Sequence, residues 1–148
     1  MTELVSIEHA VARAHAHREG LVVLSDPADA TTSGAPGDSV WILEELLKYT
    51  WTRPVLVTLV SPELVEACVS HGVGWNYRGN VGGVRDSRFG KRIAFEGVVE
   101  RVFEGRFVLN GHLGKNLSID MGTCAVLRTG QVAVIVTLTP RLPVAVAA

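Results

Sequence analysis

Hydrophobic positions along the chain fall into two textures. Up to about Gly72, short continuous apolar runs alternate with stretches of helical period. Ile7, Ala10, Val11 and Ala14 recur at i, i+3, i+4 and i+7, which predicts a helix over about 7–19 with Ser6 as N-cap and Gly20 after its end. Leu21–Leu24 and Val55–Val60 (VLVTLV) are too short for helices and rich in β-branched residues, so both read as buried strands. Between them, Val40, Leu43, Leu46 and Leu47 mark one face of a helix over about 39–48, capped by Asp38 or Ser39 and carrying a Glu44–Lys48 pair. Ser61-Pro62-Glu63 opens a third helix with Leu64, Val65, Cys68 and Val69 on its apolar face, His71 in its last turn and Gly72 beyond. This β-loop-α-β-α order predicts parallel strands with covering helices.

After Gly72 no further helix signal occurs. Trp75 and Tyr77 alternate within a glycine-rich stretch that enters a bend at Asn80–Gly83, and 84–91 reads as a polar loop. Ile93, Phe95, Val99 and Phe103 alternate with polar or small residues, and Glu104-Gly105 offers a turn into a strand at 106–110. Cys124–Arg128 and Gln131–Thr139 read as two strands joined at Thr129-Gly130. The expected architecture is a single α/β domain over 1–148. It has an N-terminal β-α-β-α half with parallel strands (6–72), a half of antiparallel strands in a mixed or second sheet (73–141), and a tail (142–148) that reads as cut short.

Composition narrows the function classes. Of 148 residues, 47% are hydrophobic and 20% charged, enough apolar material for a core. The formal net charge of −1 argues against nucleic acid as a partner, since phosphate neutralisation needs a basic surplus. No run approaches the ~18 apolar residues of a membrane span, and the first residues lack a signal-peptide pattern. Cys68 and Cys124 stand in no metal-ligand spacing and are expected as core thiols in the cytoplasm.

Candidate chemistry concentrates in the loop between Leu24 and the second helix. It carries Asp26 and Asp29, hydroxyls on Ser25, Thr31, Thr32 and Ser33, and glycines Gly34 and Gly37 leading to Asp38 and Ser39. A glycine-containing loop entering a helix can converge backbone N–H groups on an anion, so Asp29, Thr32, Ser33, Gly34, Gly37, Asp38 and Ser39 are the candidate ligand-binding residues. Asp26 before Pro27 suits an Asx turn. The loop lacks the lysine of a P-loop and the frame of a GxSxG elbow. His9, His15 and His17 miss the i, i+4 spacing of a helical metal pair and read as a solvated face. His71, His112, Asp26, Asp29, Asp86 and Asp120 fall in no ligand spacing, so neither a metal nor a catalytic residue is expected here. Arg78, Arg85, Arg88, Lys91 and Arg92 read either as a solvated loop or as an anion- or partner-docking cluster.

Residues Leu21 to Leu47 resemble the start of the C-terminal domain of the microcystinase C (MlrC) family of zinc metallopeptidases. The likeness lies in an apolar strand ending in Asp, then a DxxxxGAPGD-type loop into a leucine-rich helix, here DATTSGAPGDSVWILEELL. SPELVEACVSHGVG (with Ser61 where the family has Asp), NVGG at 80–83, FEGVVERVFEGRFV and GTCAVLRTGQVAVIVT follow in the family's order. The resemblance implies that zinc and the catalytic carboxylate belong to a larger N-terminal domain absent from this chain, and that its own C-terminus is truncated. It implies an accessory domain or remnant of a hydrolase, inactive alone, whose partner is a separate catalytic domain and whose loop borders an inter-domain cleft. A stand-alone module binding a small anion or carboxylate, or an interaction domain, with a small carboxylate or peptide as ligand, and an enzyme completed across a homo-oligomer, are the other readings.

Overall fold

The computed structural model describes residues 4–85, 90–111 and 116–139. Helix α1 (Ile7–Ala16) begins where Ser6 Oγ accepts the His9 N–H at 3.2 Å, as its sequence demands. It ends well before Gly20, with His17 as C-cap. Two short 3₁₀ turns, Pro27–Asp29 and Thr31–Ser33, lead to α2 (Trp41–Leu47). Then come β1 (Val55–Val60), α3 (Pro62–His71), β2 (Asn76–Val81), β3 (Ile93–Val108), β4 (Ser118–Thr129) and β5 (Val132–Thr137).

The strands form one sheet in the order β1-β5-β4-β3-β2. β1 runs parallel to β5, and the other pairs are antiparallel. The alternative of a second sheet therefore gives way to one mixed sheet. β5 lies inside it, and its run VAVIVT is buried or half-buried throughout, as a strand flanked on both edges requires. Leu43 of α2 and Leu64, Val65 and Cys68 of α3 pack on one face, against Leu59, Val134, Val136, Ala125, Leu127 and Val99. α1 rests on α2. His15 stands 4.9 Å from the Tyr49 ring and 5.1 Å from that of Trp51, and its Nε2 lies 3.1 Å from the Thr50 carbonyl. This histidine is therefore an anchor of α1, not part of a purely solvated face.

Several expectations fail for local physical reasons. Leu21–Leu24 is not a strand: Leu21 and Val23 are 75% and 65% exposed. β-branched composition makes a strand only against a ladder and a covered face, and this run has neither. The β-α-β-α unit of 6–72 is consequently not formed, and β1 is an edge strand with Leu56 in solvent rather than a buried one. Val69, on the expected apolar face of α3, is also exposed. Glu104-Gly105 is not a turn. β3 continues through it, and the register with β4 skips at Gly105, where a Cβ would stand 2.8 Å from Cys124 Sγ. The missing side chain makes a bulge that admits the thiol. The junction at Gly130 does turn as expected, with φ +55° and Thr129 opposite Val132. The tail lies outside the described residues.

Two outcomes follow from this core. Leu127, fully buried in β4, is expected to lose about 2–5 kcal/mol on truncation to Ala, read as a lower urea midpoint at unchanged slope. Burial pushes the Cys68 thiol up to about 11 and raises that of Cys124, helped there by the Glu104 and Asp120 carboxylates. At pH 8 a maleimide should label the native chain slowly and the urea-unfolded chain fast at both sites. Because the folded thiol is harder to ionise than the unfolded one, its contribution to stability is complete below pH 9.0 and falls as pH rises toward 11.

Candidate functional site

The loop from Asp26 to Ser39 is built by its own carboxylates. Asp26 accepts the Ala28 N–H at 3.0 Å, an Asx contact that starts the first 3₁₀ turn at Pro27. The second turn closes on Gly34 at φ +88°. Gly37, at φ +74°, offers its carbonyl to the Val60 N–H at 2.8 Å, which ties the loop to the C-terminal end of β1. A Cβ at Gly37 would lie 2.6 Å from Thr31 Cγ2 and 2.7 Å from Val60 Cγ2, so only glycine fits this crossing.

Asp29 Oδ1 accepts the Gly37 N–H and its Oδ2 the Ser39 N–H, each at 2.8 Å. The two amides that would face an incoming anion already hold a carboxylate of the same loop. Asp38 is 4% exposed. Its Oδ2 accepts the N–H groups of Val84 at 2.8 Å and Arg85 at 3.0 Å, and its carbonyl accepts that of Gly83 at 3.0 Å. The helix-capping role expected of Asp38 or Ser39 is thus replaced. The N-cap of α2 is Val40, with no side-chain cap, and Asp38 instead grips the Gly82-Gly83 bend after β2. At Gly82 (φ +81°) a Cβ would fall 2.1 Å from Val40 Cγ1.

Of the candidate ligand residues, Asp29, Gly37, Asp38 and Ser39 therefore meet in one hydrogen-bonded knot, while Thr32, Ser33 and Gly34 lie exposed on its outer turn. The partners that composition alone did not connect with Asp38 are Gly83, Val84 and Arg85. The signal for them was the paired glycine at 82–83, which demands a bend that something must hold. The grooves of about 620 Å³ beside α1 and 470 Å³ beside Trp51 do not involve the loop.

Two members of the basic cluster, Arg78 and Lys91, are paired with carboxylates. Arg78 donates twice to Glu96, at 2.9 and 3.1 Å, and with Asn76 it holds that exposed carboxyl below its ordinary range. Lys91 pairs with Glu44 and stands 3.9 Å from the Trp41 ring centre. The Glu44–Lys48 pair expected along α2 does not appear, and Lys48 meets Glu45. His71 stacks on Trp75 at 3.9 Å, with Nδ1 2.9 Å from the Ala67 carbonyl. Asp120 accepts from Arg106 at 3.2 Å. Arg88, Asp86 and His112 lie outside the described residues. Among the described residues no three His, Cys, Asp or Glu side chains converge as metal ligands do, so these residues do not fit a zinc centre.

The model of the family described as "MlrC C-terminus" matches residues 24–146. No curated protein matches the chain. Among solved structures, a protein described as a "Putative metallopeptidase" from Mesorhizobium sp. BNC1 is similar at 26% identity and a TM-score of 0.82. The match covers 95% of this chain and 28% of that one, so this chain spans under a third of that relative's length.

The knot makes a graded prediction. Asp38→Ala removes a buried carboxylate and leaves the Val84 and Arg85 amides without their acceptor, and should cost about 2–4 kcal/mol in urea unfolding. Asp29→Ala, at a half-buried position, should cost less.

Proposed function

The chain belongs to the MlrC C-terminus family, and we propose that it serves as the accessory C-terminal domain of an MlrC-like zinc metallopeptidase or amide hydrolase, inactive alone. In this reading the zinc and the reacting groups reside in a separate catalytic domain, and this chain supplies a docked wall. One observation carries it: a match over 95% of this chain accounts for only 28% of a metallopeptidase-like protein.

The glycine-rich loop would border the cleft between the two parts. Its interior supports a shaping role, because Asp29 and Asp38 bind backbone amides of their own fold. Thr32, Ser33 and Gly34, exposed at its tip, are the residues left to meet a carboxylate or peptide. A stand-alone anion module is less well supported, because the amides it needs at Gly37 and Ser39 already donate to Asp29.

The test is metal and activity together. After incubation with zinc and dialysis, the purified chain should retain well under one zinc per chain and cleave no peptide amide above the buffer rate. Stoichiometric zinc with zinc-dependent cleavage would sink the proposal and favour an enzyme completed between copies of the chain.

A further inference from the structure

The two edges of the sheet are chemically unlike. The β2 edge is polar: Asn76, Arg78 and Asn80 lie along it, and Arg78 pairs with Glu96. The β1 edge, VLVTLV, carries no charge. Its parallel register with β5 sets which groups face outward. Val55 donates to the Gln131 carbonyl at 2.9 Å and Ser61 to that of Thr137 at 3.0 Å, so odd-numbered residues turn their main-chain groups inward. Leu56, Thr58 and Val60 turn theirs outward. Val60 N–H meets the Gly37 carbonyl, whereas the N–H groups of Leu56 and Thr58 have no partner among the described residues.

Exposed apolar side chains flank this gap. Leu56 is 61% exposed, on the sheet face opposite α2 and α3, in one row with Ala133, Arg128 and Val98. Leu21 and Val23 are more exposed still. Their stretch is held beside the start of β1 by Arg53, which donates to the carbonyls of His17 and Gly20. Proteins blunt a free strand edge with charge, proline or a cover. β2 has charge, while β1 between Val55 and Thr58 has none of these.

We propose that the β1 edge, with Leu56, Thr58, Leu21 and Val23, is the surface on which the remainder of an MlrC-like protein docks, adding main-chain hydrogen bonds at Leu56 and Thr58 and apolar contacts around them. The occupant follows from length: the Mesorhizobium relative carries the same domain at a TM-score of 0.82 within a chain of which the match covers 28%. The inference rests on the accessory-domain reading and adds its docking face.

Hydrogen exchange by mass spectrometry, on this chain and on the full-length Mesorhizobium protein, tests it. The Leu56 and Thr58 amides should exchange fast here, and their equivalents at least about tenfold slower in the longer protein, with the β2 edge alike in both. Protection confined to other surfaces overturns the docking face and leaves the accessory-domain reading standing. No difference anywhere overturns both. If these amides are protected in this chain with a dimeric mass, the occupant is a second copy and the proposal fails. Leu56→Lys should leave the thermal midpoint of this chain unchanged; a fall would place Leu56 in the domain's own core and overturn the proposal.

Discussion

The buried carboxylate of Asp38 fastens the loop that carries it to the glycine-rich bend after β2, through the Val84 and Arg85 N–H groups. On one side lies the loop ending at Gly37, fixed to the end of β1; on the other lies Gly82-Gly83, where β2 leaves the sheet. Glycine is required at both because neighbouring atoms occupy the space of a Cβ. Glycine also loses most conformational entropy on ordering. A charged acceptor in a nearly closed setting supplies the compensating interaction, since hydrogen bonds to an ionised group are the stronger kind. The start of α2, the exit of β2 and the end of β1 therefore meet at one short segment, Gly37–Ser39, held by Asp29, Asp38 and the Val60 amide together.

The elements legible from sequence are those whose signal is local. Ser6 caps α1, Pro62 opens α3, and Val55–Val60 forms β1 at the expected residues, because capping chemistry and β-branched runs act over a few positions. Leu21–Leu24 is as apolar a run as β1, yet Leu21, Val22 and Val23 stay exposed, since a strand needs a neighbour that its own residues cannot provide. Gly105 looked like a turn and is a bulge, because its meaning depends on the Cys124 thiol across the ladder. Asp38 looked like a helix cap and is a long-range clasp, for the same reason.

The loop was legible as an unusual element but not in its chemistry. Of the seven residues expected to meet a ligand, Asp29, Gly37, Asp38 and Ser39 are instead tied up in hydrogen bonds within the fold. What composition could not reveal is that they answer one another: the amides that would cradle an anion face Asp29. The family match and the partial coverage of a longer relative then move attention from the loop's interior to the surfaces around it.

The parallel pairing of β1 with β5 has a consequence for how the chain assembles. Val55 meets Val132, and β1 has no other ladder partner among the described residues. During synthesis, the segment up to Val60 leaves the ribosome long before the strand that receives it. The β2–β3–β4 meander can form from close neighbours, but α2, α3 and β1 must wait for β5 to complete the surface they cover. Contacts of such separation slow folding, because a long loop is closed before any contact rewards it. The uncharged run VLVTLV is therefore the part of a nascent chain most in need of shielding from others of its kind.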